Sequence, residues 1–487
     1  MAHSEAGEAT DQAQTMALII ERWLGNPVSK KLLGFLSARD GNGRRAEKVL
    51  KAYGGMKVDL TFKDKLAYLM VKTVIDRFSD RMNIPHEIVR GNLRESLWRK
   101  GLAATLEGLA WRGPTKPFVS YAPFLVVWNF TNACNLRCKH CYQRADRSTP
   151  DELTTQEAMD AVDEMADAGV AYIAFSGGEP LVRKDFFQIV ERAKEREMGV
   201  AIATNGTHLT EDKVKKLEDL DCQYIQVSLD GLKKTHNKMR GSNAFERTIE
   251  GIENAVNSDI TTGIAMTVTK DNLHEVDDVI DLAEEMGVDI FMHYNFIPTG
   301  RGRDLVELDI SPREREELLT MLASESQKRE LNILSTAPQY GRVAAKGGMV
   351  SATHFDTVGQ DEEMQEGVKF LADFIGGCGC GRLYWALQPN GDLTPCVFFP
   401  VTLGNIRQDS FMDVWLNSSV LEKARKREEY AEKCSSCSSR SICGGCRARA
   451  YAYYGDVAET DPGCILNKKK WEELREKIVA HVHTKQI

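Results

Sequence analysis

From Phe124 onward, short apolar runs alternate with longer charged stretches. The apolar runs fall at 124–130, 172–176, 199–204, 224–229, 262–268 and 290–297, and the charged stretches at 155–168, 184–197, 210–220, 244–257 and 272–286. Continuous apolar runs of this length, bounded by turn residues, read as strands buried on both faces. The amphipathic stretches read as the helices that cover them. Six strand-then-helix units predict an α/β fold whose parallel strands are joined by right-handed crossovers. In such sheets chemistry gathers beyond the carboxyl ends of the strands.

The flanks follow other patterns. In the first 115 or so residues, Leu18, Ile19, Ile20, Trp23 and Leu24, then Leu32, Leu33, Phe35 and Leu36, recur at helical spacing. Asn26-Pro27 and Gly41-Asn42-Gly43 punctuate this region, residues 113–117 read as a linker, and no catalytic motif is present. Residues 301–375 are charged and read as a mostly helical connector. From Gly376 to Cys464 the chain is rich in Cys and Gly, and a last helix is expected near 467–483. The expected division is a helical region at 1–117, an α/β core at 118–300, a connector at 301–375, a Cys-rich domain at 376–466 and a terminal helix at 467–487. A length of 487 residues suits more than one unit.

Composition bounds the class. At 42% hydrophobic and 28% charged residues the chain reads as globular rather than disordered. Residues 1–120 carry 20 Lys+Arg against 13 Asp+Glu, a balance of +7, so a net charge of −8 leaves −15 on the rest. A basic N-terminal part on an acidic body suits an anionic partner or a membrane surface, or else a solvated helical face. No apolar run is long enough to span a bilayer, and Met1–Gln14 is polar and acidic, unlike a secretory or transit peptide. The expected compartment is the cytoplasm. Nucleic acid is not expected as the main partner, because the chain is acidic overall and lacks a basic stripe interleaved with aromatics.

Twelve cysteines in such a chain argue against disulfides, and eleven of them fall in two tight groups, which favours metal or iron–sulfur ligation. The remaining one, Cys222, reads as a buried structural thiol. The first group, Cys134-x3-Cys138-x2-Cys141, directly follows the first strand. Three thiolates can hold a four-iron cluster and leave one iron open to a ligand. Zinc is the alternative, with His140 as a fourth ligand, but His140 is wedged between two of the cysteines and is poorly placed for a shared tetrahedral site.

This motif resembles that of the radical S-adenosylmethionine (radical SAM) superfamily over residues 124–300. The resemblance implies a partial (β/α)6 TIM-like barrel. It also implies a [4Fe-4S] cluster that chelates S-adenosylmethionine, and reductive cleavage of that cofactor to a 5′-deoxyadenosyl radical that abstracts hydrogen. A low-potential donor such as a ferredoxin or flavodoxin would supply the electron. Ser176-Gly177-Gly178-Glu179-Pro180, after the second strand, looks like the family's motif for the methionine amino group, with Glu179 as an acceptor for the ammonium. The resemblance adds Tyr142, Thr204, Asn205, Ser228, Asp230 and Arg240 to the cofactor-binding set, with Thr267 and Val268 expected to flank the adenine. Arg240 would meet the carboxylate. Arg301 and Arg303, after the sixth strand, are candidates for a substrate carboxylate or phosphate, or are solvated loop arginines. No catalytic acid, base or radical-quenching residue is identified.

The second group comprises Cys378, Cys380, Cys396, Cys434, Cys437, Cys443, Cys446 and Cys464. Asn390-Gly391 reads as a hairpin turn that brings Cys396 opposite Cys378 and Cys380. Taken alone, the paired C-x2-C units also fit structural zinc. The pattern resembles the SPASM extension of the superfamily. That implies one auxiliary [4Fe-4S] cluster on Cys378, Cys380, Cys396 and Cys446, and another on Cys434, Cys437, Cys443 and Cys464. Cys443-x2-Cys446 is one residue shorter than usual and Cys378-x-Cys380 is also tight, so a single auxiliary cluster or one with an open iron stays open. Within the subgroup, the stretch from Cys443 to Cys464 looks most like the haem-pathway branch that modifies tetrapyrroles. The substrate readings are a tetrapyrrole or other carboxylate-bearing small molecule, a peptide that is matured, or a membrane lipid. A non-enzymatic metal-binding module is the reading from another class.

Overall fold

The computed structural model describes residues 26–40, 43–81, 84–346, 350–352, 355–357 and 373–484. The helical pattern at Leu18–Leu24, the polar start at Met1–Gln14 and connector residues 358–372 lie outside them. The N-terminal part is helical: α1 (Pro27–Leu36), α2 (Arg45–Tyr53), α3 (Phe62–Arg81), α4 (His86–Arg94) and α5 (Ser96–Arg112). A small antiparallel pairing of Arg39 with Arg44 and Asp40 with Gly43 lies between the first two. Leu36, Val49, Leu50, Tyr53, Ala67, Val71 and Leu93 form a hydrophobic core of its own. Arg39 Nη2 donates to Ala168 O at 3.0 Å, Arg44 Nη1 to Gly169 O at 3.3 Å and Lys100 Nζ to Arg196 O at 2.8 Å. Those carbonyls lie just before the second and third strands, so this part sits at the amino ends of the sheet, opposite the end where the cysteines are found.

The six expected strands are present as β1 (Leu125–Thr131), β2 (Tyr172–Gly177), β3 (Gly199–Thr204), β4 (Tyr224–Ser228), β5 (Thr261–Val268) and β6 (Ile290–Asn295), each parallel to the next. Between them run α6 (Thr155–Ala168), α7 (Phe186–Glu195), α8 (Glu211–Asp219), α9 (Lys233–Arg240), α10 (Ala244–Val256) and α11 (Val276–Glu285). Alternation along each strand sorts the side chains. Trp128, Phe130, Ile173, Phe175, Ile225, Val227, Ile264 and Met266 pack into the core under the helices. The intervening residues, including Asn129, Ser176, Gln226 and Thr267, point to the other face, the interior of the barrel. Cys222 is 4% exposed within the helix-side core, and its Sγ lies 3.4 Å from Val200 O.

The sheet is larger than the six strands. Asn332–Ser335, inside the expected helical connector, forms β7 and pairs parallel to β6. It is flanked by α12 (Pro312–Glu325) and α13 (Gln339–Lys346). On the other edge, β8 (Tyr384–Leu387) comes from the Cys-rich part and pairs parallel to β1. It turns through Asn390-Gly391 into antiparallel β9 (Asp392–Thr394), which pairs with β10 (Gly404–Asn405). The ten-stranded order is β10-β9-β8-β1-β2-β3-β4-β5-β6-β7. After it come α14 (Phe411–Asn417), α15 (Ser419–Arg425), α16 (Glu432–Ser436), α17 (Arg447–Tyr454) and α18 (Lys468–Thr484). Trp385 packs edge-on against Phe411 and Trp415, which fixes this extension to the barrel edge. Just after the expected linker the chain is packed, since Phe118 N donates to Phe374 O at 2.7 Å and the two rings stack.

Candidate iron–sulfur and cofactor sites

The loop after β1 carries Cys134, Cys138 and Cys141, and the neighbouring strand ends hold its backbone from several sides. Cys134 N donates to Asp146 O at 3.4 Å, and Asp146 N to Asn132 O at 2.9 Å. Arg301 N donates to Cys141 O at 2.8 Å, while its guanidinium reaches Cys138 O at 2.7 Å and Ala145 O at 2.6 Å. Arg301 therefore clamps the cysteine loop, and the expectation that it meets a substrate anion is corrected: those guanidinium nitrogens face loop carbonyls. Gly300 makes the clamp possible. Its φ is +57°, and a Cβ there would lie 2.0 Å from Tyr142 O. Arg303 is exposed.

The second strand end wraps onto the same loop. Gly178 N donates to Thr131 O at 2.7 Å, and Glu179 N to Ala133 O at 2.9 Å. A Cβ on Gly178 would lie 2.1 Å from Ala133 O, so only glycine permits the approach. Glu179 is fully buried. Its carboxylate accepts from Leu181 N at 3.1 Å, from Thr204 Oγ1 at 2.9 Å and from Asn205 N at 2.8 Å. Burial pushes its pKa up, against the pull of those hydrogen bonds. The carboxylate thus ties the second and third strand ends together, with three donor groups on its roughly four lone-pair sites. Asn205 Nδ2 donates to Asn135 Oδ1 at 2.9 Å and lies 4.0 Å from Cys134 Sγ. Tyr142 donates to Asn129 Oδ1 at 3.0 Å and shares a 2.9 Å hydrogen bond with Ser176 Oγ.

At the fourth strand end Asp230 is fully buried. Its carboxylate takes Arg240 Nε at 2.5 Å, His140 Nε2 at 3.0 Å and Thr267 N at 2.9 Å. Burial alone would raise its pKa, but the Arg240 guanidinium and His140 outweigh that and hold it far below the usual carboxylate range. Asp230 thus acts through Arg240, whose Nη1 lies 4.0 Å from Cys138 Sγ. His140 turns its Nε2 to that carboxylate and keeps its buried Nδ1 without a hydrogen-bond partner. His236 accepts from Asp230 N at 3.2 Å, and burial pushes its pKa down to about 3, so it is neutral. Ser228 and Thr267 point into the barrel. Val268 does not: it is 1% exposed in the helix-side core with Ile264 and Met266, four and two residues back on the same face of β5. It cannot flank a ligand inside the barrel.

Sequence reasoning missed a polar cluster on the inner wall. Asn129 Nδ2 donates to Gln143 Oε1 and Gln388 Oε1, each at 3.0 Å, and Gln143 Nε2 donates to Gln388 Oε1 at 3.0 Å. Gln388 follows β8, so the cluster ties the cysteine loop to the C-terminal extension. The available signal was Asn129 itself, a polar residue inside an apolar run.

The C-terminal cysteines fall into two sets. Cys378, Cys380, Cys396 and Cys446 share one cluster with Ile297, Phe399 and Ala448. Tyr384 donates to Cys396 Sγ at 3.5 Å. Cys434, Cys437, Cys443 and Cys464 line a common cavity with Gly445 and Asp461. Three buried arginines surround these thiols with carbonyl partners. Arg382 donates to Phe118, Ile375 and Cys378 carbonyls, Arg427 to those of Cys378, Arg440 and Ser441, and Arg447 to those of Val457 and Glu459. A buried cation with neutral partners is costly without a counter-charge. Thiolate-bound clusters would supply one, so the residues fit anionic metal groups at both sets.

The barrel with its cysteine mouth, closed on one edge by a second Cys-rich layer, points to an iron–sulfur enzyme, and comparison with known proteins agrees. Residues 128–283 match the Radical SAM superfamily, and residues 378–438 match the SPASM iron–sulfur cluster-binding domain. The chain is 36% identical over 359 residues to the AdoMet-dependent heme synthase of Methanosarcina barkeri, a match that covers 72% of this chain and 98% of that protein. It is 31% identical over 355 residues to the mycofactocin maturase MftC of Mycolicibacterium smegmatis, covering 71% and 83%. SuiB of Streptococcus suis, solved with its precursor peptide SuiA, shares the fold at a TM-score of 0.62 and 17% identity, covering 86% of this chain and 92% of SuiB. The chain belongs to the radical SAM superfamily, in the subgroup that carries a SPASM extension. It is an enzyme that binds [4Fe-4S] clusters and S-adenosylmethionine.

Proposed function

We propose that this radical SAM enzyme acts on a tetrapyrrole or a similar carboxylate-bearing small molecule. The observation that carries the reading is the 36% identity to a heme synthase along 98% of that protein's length. The inner wall supports it: Tyr142 and Tyr294 both meet the Phe398 ring edge-on, at 5.0 and 6.5 Å, and give an aromatic surface beside the cysteine loop. A second reading, maturation of a peptide, is favoured by the similarity to MftC.

In this account Cys134, Cys138 and Cys141 hold the catalytic cluster. Cys378, Cys380, Cys396 and Cys446 hold one auxiliary cluster, and Cys434, Cys437, Cys443 and Cys464 a second. When bound, the catalytic cluster and S-adenosylmethionine supply a 5′-deoxyadenosyl radical on one-electron reduction. The chain's own residues do the positioning. Arg301 and Gly178 fix the cysteine loop, Glu179 locks the strand ends around it, and Asp230 aims Arg240 at a carboxylate beside Cys138. Ser176, Gly177, Thr204, Asn205, Ser228, Thr267 and Tyr142 complete the cofactor wall. Residues 118–300 form the core, 301–375 the connector and 376–466 the auxiliary domain, flanked by 1–117 and 467–487. A ferredoxin or flavodoxin-like protein supplies the electron in the cytoplasm.

The test is anaerobic incubation of reconstituted enzyme with S-adenosylmethionine, reductant and an iron porphyrin bearing propionates. The expected result is faster 5′-deoxyadenosine release and a mass change in the porphyrin. An unaltered porphyrin, with stimulation only by a peptide encoded beside the gene, would overturn the tetrapyrrole reading in favour of the peptide one.

A further inference from the structure

Among the described residues nine large hydrophobic side chains are exposed, and seven of them lie between Phe62 and Leu102. Four sit on α3: Phe62 is 85% exposed, Leu66 49%, Leu69 60% and Val74 53%. Phe62, Leu66 and Leu69 are spaced four and three apart, so they form one stripe along the helix, while Val74 lies roughly a third of a turn round from it. The opposite side of α3 is apolar as well. Ala67 and Val71 are buried in the N-terminal core, with Tyr68 and Ile75 packed against it. A helix that is apolar on both faces is normally buried on both. Lys63, Lys65 and Arg77 are exposed beside the stripe, and residues 1–120 carry a balance of +7 on an otherwise acidic chain. Among the described residues no helix is long and apolar enough to cross a membrane.

We propose that the outer face of α3 is a docking surface for an anionic membrane, with Phe62, Leu66 and Leu69 entering the headgroup boundary and Lys63, Lys65 and Arg77 meeting lipid phosphates and carboxylates. Apolar burial and basic attraction together give the binding that neither supplies alone. The N-terminal helices sit at the amino ends of the strands and the cysteine loop at the carboxyl ends, so docking recruits the enzyme to a surface without covering its mouth. The proposal is independent of the substrate reading.

The test is co-sedimentation of the intact enzyme with phosphatidylserine–phosphatidylcholine vesicles and with phosphatidylcholine vesicles, at low and high salt, alongside its oligomeric state by light scattering. The expected result is binding to the anionic vesicles that weakens in high salt. It should weaken roughly tenfold or more in Phe62→Glu/Leu66→Glu. Lys63→Glu/Lys65→Glu, which leaves the apolar stripe intact, should also lose binding while keeping the wild-type circular dichroism. 5′-Deoxyadenosine formation should be unchanged in both variants. Wild-type enzyme that ignores anionic vesicles, or variants that bind as wild type does, would overturn the proposal. So would a wild-type dimer that the Phe62→Glu/Leu66→Glu change makes monomeric, because a second copy would then be the occupant.

Discussion

Replacing Arg301 by methionine keeps the apolar stem of the side chain and removes its two hydrogen bonds to Cys138 O and Ala145 O, at 2.7 and 2.6 Å. A hydrogen bond from a charged donor contributes about 1.5–3 kcal/mol. Arg301 is only half-buried, and solvent discounts that figure, so we take ~2 kcal/mol as the lower bound for the pair. Each 1.4 kcal/mol is a factor of ten, so the cysteine loop should open about 30-fold more often. Hydrogen exchange of peptides covering 134–146 in the metal-free protein reads this directly. Exchange there should rise about 30-fold in Arg301→Met, within the discount already made for exposure. In Arg301→Lys, which can reach only one carbonyl, it should rise by less, and peptides from α10 and α11 should not change. Loop exchange at the wild-type rate in Arg301→Met would refute the clamp.

Three further outcomes follow from the same geometry. Gly178→Ala places a methyl group 2.1 Å from Ala133 O, so the folded variant should form no 5′-deoxyadenosine. Cys446→Ser and Cys434→Ser should each remove about four irons per chain on elemental analysis while the other clusters stay, since each thiol belongs to a different set; loss of every iron from either variant would contradict two separate sites. Asp64, buried against Arg45, Lys48 and Thr61, is held at about pKa 2, burial being outweighed by hydrogen bonds from those partners. Its folded pKa is below the unfolded value near 3.9, so its contribution, ~2.5 kcal/mol, is complete above about pH 4 and fades as pH falls towards 2. Denaturation followed by circular dichroism should show that loss in wild type and not in Asp64→Asn.

The six barrel strands were legible because their helix-facing positions are apolar throughout and several inward ones are too, as in Ile173–Phe175 and Ile264–Met266. β7 was not legible: Asn332–Ser335 is four residues long, begins and ends on polar residues and lies in a charged stretch. β8 was read as half of a hairpin, which it is, but its pairing with β1 joins residues some 260 apart in the chain and leaves no local mark. At the site, residue types and spacing located the cysteines and the glycine-rich strand end. Side-chain direction was another matter. Arg301 has the right chemistry for an anionic ligand, yet the carbonyls of Cys138 and Ala145 use that chemistry first. Val268 was the one error that strand parity could have caught, since it shares a face with Ile264 and Met266 in the helix-side core.

The most direct test of the account is the formation of 5′-deoxyadenosine by anaerobically reconstituted enzyme given S-adenosylmethionine and a reductant. The wild type should form it, and Cys138→Ala, with its auxiliary irons retained, should form none. Product that persists in Cys138→Ala, or none from a fully iron-loaded wild type, would contradict the assignment of Cys134, Cys138 and Cys141 as the seat of the chemistry.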